Sequence, residues 1–225
     1  MAAEARGPWR FGMLLAALVF FTLLMPFVAE ADIAGRTFVR VGLSVVLLTA
    51  IYAVSDKRWV FIVALVLALP TLTVQWATHF IHTPAGSIAR LCLSASFFWF
   101  TAAVVLAGVL RQREVSADTI LGGISVYLLM VLAFTLLHLL VATLQPGAYQ
   151  VVSAGYSRFG VEDFALALYF SFVTLTTLGY GDITPVSRVA QMLTGVEAMT
   201  GQLFVAILIA RLVGMHVGQR ARDEG

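Results

Sequence analysis

Six stretches of this chain are apolar for about as long as a helix needs to cross a bilayer, and that feature constrains the fold more than any other. A hydrocarbon core takes roughly 20 apolar residues of helix. The runs are Phe11 to Ala29, Thr37 to Val54, Trp59 to Phe80, Ile88 to Leu110, Thr119 to Leu144 and Val189 to Met215, joined by short polar turns such as Ser55 to Arg58. With 60% of the 225 residues hydrophobic and 12% charged, little chain is left for a soluble domain. Backbone polar groups in lipid must be satisfied within the segment, so the runs predict helices. Pro26 and Pro70 fall inside the first and third runs. A spanning helix tolerates such a kink where its neighbours satisfy the freed carbonyl.

Cytoplasmic loops carry the excess of Lys and Arg. An N-terminus on the cytoplasmic side puts Arg6, Arg10, Lys57, Arg58, Arg111, Arg113, Arg211, Arg220 and Arg222 inside, most of the 14 basic residues, and leaves Arg36, Arg40, Arg90, Arg158 and Arg188 outside or near that face. Both termini are then cytoplasmic and the protein sits in the plasma, or inner, membrane. The Ala29-Glu30-Ala31 sequence resembles a signal-peptidase site, so residues 1–31 have two readings, a first membrane helix or a cleaved leader. Cys92 is the sole cysteine, so no disulfide forms within the chain and no cysteine cluster binds metal. The net charge is only +2 and no basic run is interleaved with stacking aromatics, which excludes nucleic acid as a partner. The lipid bilayer is the expected surroundings.

Between the fifth and sixth runs lies a different kind of segment, Gln145 to Arg188. It holds an apolar stretch, Phe164 to Leu175, of about a dozen residues, too short to span. The stretch ends in Thr176-Thr177-Leu178-Gly179-Tyr180-Gly181-Asp182. A half-length helix followed by a glycine-rich strand reads as a re-entrant loop, which membrane depth tolerates only along a watery path. Gly179 and Gly181 can take backbone angles that other residues resist, so successive carbonyls can face one axis and replace the water shell of a cation. Thr177 adds a hydroxyl at the inner end. Tyr180 can pack outward on Tyr169 and Phe170 and hold the ring of carbonyls open.

This sequence resembles the signature of potassium channels, whose usual form has Val where Leu178 stands, and the resemblance covers Thr119 to Met215. It implies an outer helix, a pore helix, a selectivity filter and an inner helix, with four loops supplying the carbonyls. One chain carries one filter, so the resemblance implies a homotetramer. The implied fold is an all-α membrane protein of six transmembrane helices, with a re-entrant pore helix and filter loop between helices 5 and 6 and a tetrameric pore. Its parts are a four-helix transmembrane domain at 1–113, a pore domain at 114–217 and a short cytoplasmic tail at 218–225. K+ is implied at Thr177, Leu178, Gly179 and Tyr180, with Gly181 completing the filter; it is the permeant ion, and no cofactor is implied.

Filter support is expected from Thr176, Asp182, Tyr169, Phe170, Val173, Glu197 and His138. Glu197 is the sole carboxylate inside the sixth run, and a charge there is a functional candidate. It either braces the filter from behind, through His138 or the pore helix, or is a satisfied glutamate with no gating role. Val173 occupies the position where some family members have a glutamate that pairs with the filter aspartate, so Asp182 needs another partner, with Tyr169 or water available. Gly201, nineteen residues after Asp182, is either a gating hinge or a site of close helix packing, since Gly195, Ala198 and Thr200 are also small. Phe204, Ala206, Leu208 and Ile209 are candidates for an apolar inner constriction. Arg211 reads as an anchor reaching the interface.

Relatives with six spans often use the first four as a voltage sensor, which needs several arginines on the fourth. Here Leu91 to Leu110 carries no charge. One charge moved through the field is worth about 2.3 kcal/mol per 100 mV and steep gating needs several, so strong voltage dependence is not expected. Arg40, His79 and His82 have two readings, a weak response to voltage or pH and, as is commoner for lone residues, interface anchors. No catalytic triad, Cys-His pair or phosphate-cradling loop occurs, which excludes an enzyme reading. The alternatives are a less selective monovalent cation channel and a non-conducting membrane sensor or scaffold.

Overall fold

The computed structural model describes residues 10–29, 32–54, 58–80, 83–112, 116–152, 159–160 and 164–223. Arg6, Glu30, Ala31, Lys57, His82, Arg113 and Arg158 lie outside them, as do the side chains of Arg10, Arg36, His79, Arg220 and Arg222. A helix occupies each apolar run: α1 (Arg10–Ala29), α2 (Asp32–Ala53), α3 (Arg58–Phe80), α4 (Pro84–Arg111), α5 (Ala117–Leu144) and α7 (Arg188–Asp223). Between α5 and α7 come β1 (Tyr149–Val151), the short helix α6 (Phe164–Leu175) and β2 (Ile183–Pro185). Helix α7 continues past the apolar run to Asp223, so the segment expected to be a tail begins inside a helix.

Local chemistry sets the helix boundaries. Thr83 caps α4 by accepting from the Gly86 amide at 3.1 Å, and Pro84, which lacks an amide hydrogen, opens its first turn. Ser116 and Thr119 form a reciprocal capping box at the start of α5. Pro70 sits inside α3 without ending it.

Among the described residues four helices, α3, α4, α5 and α7, are long and apolar enough to cross a membrane. The described apolar parts of α1 and α2, Phe11–Met25 and Thr37–Ala53, are shorter. The chain is a multi-pass membrane protein. Helix α5 is the axle: 67% of its span is buried, and α1, α4, α6 and α7 all pack on it. Helix α7 buries only 6% of its span. Its inward side is a stripe at helical spacing through Ala190, Glu197 and Gly201, flanked by half-buried Phe204 and Leu208. Met192, Val196, Met199, Leu203, Ile207 and Ile209 stand exposed on its other sides. An apolar surface of this extent needs lipid or another protein against it.

Candidate functional site

Helix α6 is too short to span, and the chain leaves it in a sharp, fully hydrogen-bonded turn. The Thr177 amide donates to the Thr174 carbonyl at 2.9 Å, and the amides of Leu178 and Gly179 both donate to the Val173 carbonyl at 2.9 and 3.3 Å. These bonds satisfy carbonyls that the end of any helix leaves open. They also commit the first three amides of the loop to α6, while no hydrogen bond among the described residues reaches the carbonyl oxygens of Thr177, Leu178, Gly179, Tyr180 and Gly181.

The backbone angles are of the kind that lets successive carbonyls turn to one side. φ is +59° at Thr177, +59° at Gly179 and +79° at Gly181, and is not positive at Leu178 or Tyr180 between them. Alternating the sign of φ counters the usual alternation of carbonyls along an extended chain. Glycine takes the positive values without steric cost. Thr177 is the sole non-glycine with positive φ among the described residues, and for a β-branched side chain that conformation stores about 1–3 kcal/mol.

The far end of the loop is pinned by a small antiparallel ladder. Tyr149, Gln150 and Val151 of β1 face Pro185, Thr184 and Ile183 of β2. The ladder is extended by the Val152 amide donating to the Asp182 carbonyl and the Val186 amide to the Ala148 carbonyl, both at 2.8 Å. Asp182 also accepts at Oδ2 from the Tyr169 hydroxyl at 2.6 Å and at Oδ1 from the Ile183 amide at 3.1 Å. The rings of Tyr169 and Tyr180 stack with centroids 6.5 Å apart.

Phe170 lies elsewhere than the sequence suggests. Adjacent helix residues are about 100° apart around the axis, so Phe170 faces away from Tyr180, into a cluster with His138, Tyr149 and Phe159 at centroid distances of 4.9, 5.6 and 5.8 Å.

Behind α6 a chain of buried polar groups crosses four elements. His138 Nε2 on α5 and Glu197 Oε2 on α7 are 2.7 Å apart, and His138 Nδ1 is 2.6 Å from the Tyr149 hydroxyl on β1. Ser171 Oγ on α6 donates to Glu197 Oε1, with the Val131 carbonyl 3.0 Å away as a second acceptor. His138, Ser171 and Glu197 have no solvent exposure. Burial, and then the Glu197 carboxylate, push the Tyr149 phenol well above its ordinary value, so it stays protonated and can donate to His138 Nδ1. The imidazole then donates through Nε2 to Glu197. Val173 is buried, and its carbonyl is the double acceptor under the loop. Thr176 Oγ1 donates back to the Phe172 carbonyl at 2.7 Å.

At the inner end, a Cβ on Gly201 would fall 2.1 Å from the Leu175 carbonyl oxygen. Close packing of α7 against the end of α6 therefore accounts for this glycine. Of the constriction candidates, Phe204 packs on Tyr127 at 6.0 Å and Leu208 lies over Gly123, so both face α5; Ala206 and Ile209 stay on the exposed side. Arg211 reaches back to α4, its Nη2 donating to the carbonyls of Leu110 and of Gln112, the latter at 3.0 Å. Sequence reasoning singled out Glu197, His138, Tyr169 and Asp182, but missed Ser171, Tyr149 and Phe159, and also Gln202, whose Nε2 donates to Thr177 Oγ1 at 2.8 Å. Ser171 lay one helical turn from Ala167 and Leu175 on the same face, a polar residue in an apolar stripe, and that signal could have found it.

The short apolar helix, the loop and the long closing helix lie almost entirely within the stretch of this membrane protein that is similar to known proteins. Residues 126–217 match the family described as ion channel. The chain is 36% identical to Two-pore potassium channel 1 of Arabidopsis thaliana over 36% of its own length and 22% of that protein's, and 38% identical to Two-pore potassium channel 4 of the same plant over 41% and 32%. It is 26% identical to Protein LctB of Bacillus caldotenax over 52% of this chain and 93% of that one. The chain thus spans between about a fifth and a third of the plant relatives it matches. The part of the chain that resembles an ion-channel domain is thus the one that holds α6, the loop and α7.

Proposed function

We propose that the chain is one subunit of a potassium-selective channel, in which four copies surround a pore and K+ crosses passively along the carbonyls of Thr177, Leu178, Gly179 and Tyr180, with Gly181 at the outer end. The observation that carries this reading is the alternation of φ at 177, 179 and 181, with the amides of Thr177, Leu178 and Gly179 turned back to α6. That arrangement leaves one row of oxygens to stand in for the hydration shell of a cation.

Exposure supports the homotetramer. Leu178 is 57% and Tyr180 66% exposed in the single chain, as is most of α7. Neighbouring copies would cover these surfaces, and one loop supplies a quarter of a ring. In this reading six helices span the plasma membrane with both termini cytoplasmic, residues 1–113 form a four-helix transmembrane domain, and the pore domain runs from 114 to 217. Asp182, Tyr169, Thr176 and Val173 hold the loop from its own side, and His138, Phe170 and Glu197 brace it from behind. K+ is substrate rather than cofactor. The absence of charge from Leu91 to Leu110 argues for weak voltage dependence.

The test is flux of K+ and Na+ from liposomes holding the purified protein, with barium as blocker and Gly179→Ala as control. A Cβ at Gly179 meets no neighbouring atom within 4 Å but is strained at φ +59°. The variant should therefore assemble yet lose K+ flux by roughly a hundredfold or more, as expected when strain of a few kcal/mol is repeated in four subunits. K+ flux that survives Gly179→Ala and barium would sink the reading.

A further inference from the structure

Thr177 stands at the inner end of the row of carbonyls in a conformation that a β-branched residue adopts only when its surroundings enforce it. Its amide is tied to the Thr174 carbonyl, and its hydroxyl proton goes to the Thr176 carbonyl at 2.7 Å. A third contact comes from outside the loop. Because Gly201 lets the α7 backbone lie directly against the Leu175 carbonyl, the next residue is level with the start of the loop, and Gln202 Nε2 donates to Thr177 Oγ1 at 2.8 Å. A threonine hydroxyl has one proton and two lone pairs. With the proton and one lone pair engaged, the oxygen has a single lone pair left and a fixed direction in which to present it.

We propose that Gln202 is a specificity-determining positioning residue, which aims the Thr177 hydroxyl oxygen at a dehydrated monovalent cation entering the loop from the cytoplasmic end. The assignment rests on the channel reading above. It concerns the carboxamide of this chain, which stands on the exposed side of α7 and directs its amide to the site from the helix next to it. A hydroxyl held by two hydrogen bonds cannot follow a smaller ion inward, so K+ is coordinated and Na+ is left with a gap. Without the amide, Thr177 can turn about χ1 and close on the smaller ion.

Full-length protein in liposomes tests this by the ratio of K+ to Na+ flux in wild type, Gln202→Leu and Gln202→Asn, with and without Thr177→Ser. Leucine keeps the bulk and removes the donor. The ratio should fall by roughly tenfold, the equivalent of one hydrogen bond at about 1.4 kcal/mol, with assembly size unchanged. Asparagine, one methylene shorter, should also lower the ratio, and it supplies the same readout should the leucine variant fail to assemble. Serine at 177 is freer to turn, so removing the amide there should cost proportionally more than in wild type. A ratio unchanged in the Gln202 variants, or the same proportional loss whether residue 177 is Thr or Ser, overturns the assignment. Wild-type vesicles that pass K+ and Na+ equally, or neither, overturn the channel reading and this assignment with it; selective wild type with silent Gln202 variants removes this assignment alone.

Discussion

The first four helices and the segment from α5 to α7 are both predominantly apolar in sequence but are held together differently. In α1 to α4 the hydroxyls fold back on their own helices: Thr22 on the Leu18 carbonyl at 2.9 Å, Ser44 on Arg40 at 2.8 Å, Thr101 on Phe97 at 2.9 Å. Between helices the contacts are mainly side chains such as Leu14, Leu18, Leu43 and Leu47, and an apolar cavity of about 250 Å3 remains beside Trp59, Val104 and Gly108. In the second part the polar side chains reach across: His138, Tyr149, Ser171 and Glu197 join four elements. Apolar contacts tolerate sliding, whereas a hydrogen-bonded chain is satisfied in one register. The first part is built to yield and the second to hold a position.

The sharpest way to break this comparison is Glu197→Leu. It leaves His138 buried without its acceptor, while Ser171 keeps the Val131 carbonyl, and removing one partner of a buried pair costs about 3–5 kcal/mol. The thermal unfolding midpoint of protein in lipid nanodiscs should fall steeply, and less for Glu197→Gln, whose carbonyl oxygen can still accept from His138 while its amide donates to Ser171 Oγ and the Ser171 proton turns to the Val131 carbonyl. Conductance should follow the same order. Equal midpoints for wild type and both variants would remove the distinction between the two parts.

Arg211 joins them. Its guanidinium donates to carbonyls at the C-terminal end of α4, where the helix leaves orphan acceptors and partial negative charge. Arg211→Leu should cost about 1–3 kcal/mol. It should also speed protease cleavage near residues 112–116, while Glu197, more than three helical turns away along α7, keeps its network. Cleavage at the wild-type rate would mean that α7 does not restrain the end of α4.

How far each part could be read from the sequence follows the same division. Helices were legible wherever a long apolar run met few charges, because the bilayer leaves little other choice. The loop was legible because glycine at 179 and 181 is a backbone demand. The Glu197–His138 contact was legible because a lone carboxylate in an apolar run requires a partner. Tyr149 and Ser171 were not, since the one lies in a link and the other is an ordinary hydroxyl whose neighbours depend on how α6 rotates. Phe170 was assigned to the wrong side of α6 for that reason. Nothing in the sequence placed Gln202 against Thr177, because that contact depends on how closely α7 approaches at Gly201.

The gentlest test lies in the first part. Gln75 is buried and its Nε2 donates to the Arg40 carbonyl at 2.7 Å, with Ser44 Oγ at 3.2 Å. It resembles the Glu197–His138 contact in joining two helices, here α3 and α2. It differs in what it leaves behind, since the Arg40 carbonyl also accepts from Ser44 Oγ and so keeps a partner when the amide is gone. Leucine has nearly the volume of glutamine, and replacing a satisfied amide by an apolar group of similar shape is close to neutral. Gln75→Leu should therefore shift the unfolding midpoint by the equivalent of about 1 kcal/mol or less and leave the K+ to Na+ flux ratio unchanged. A loss as large as that of Glu197→Leu would mean that the first four helices are also fixed in register by a polar contact, and the contrast with the second part would have to be given up.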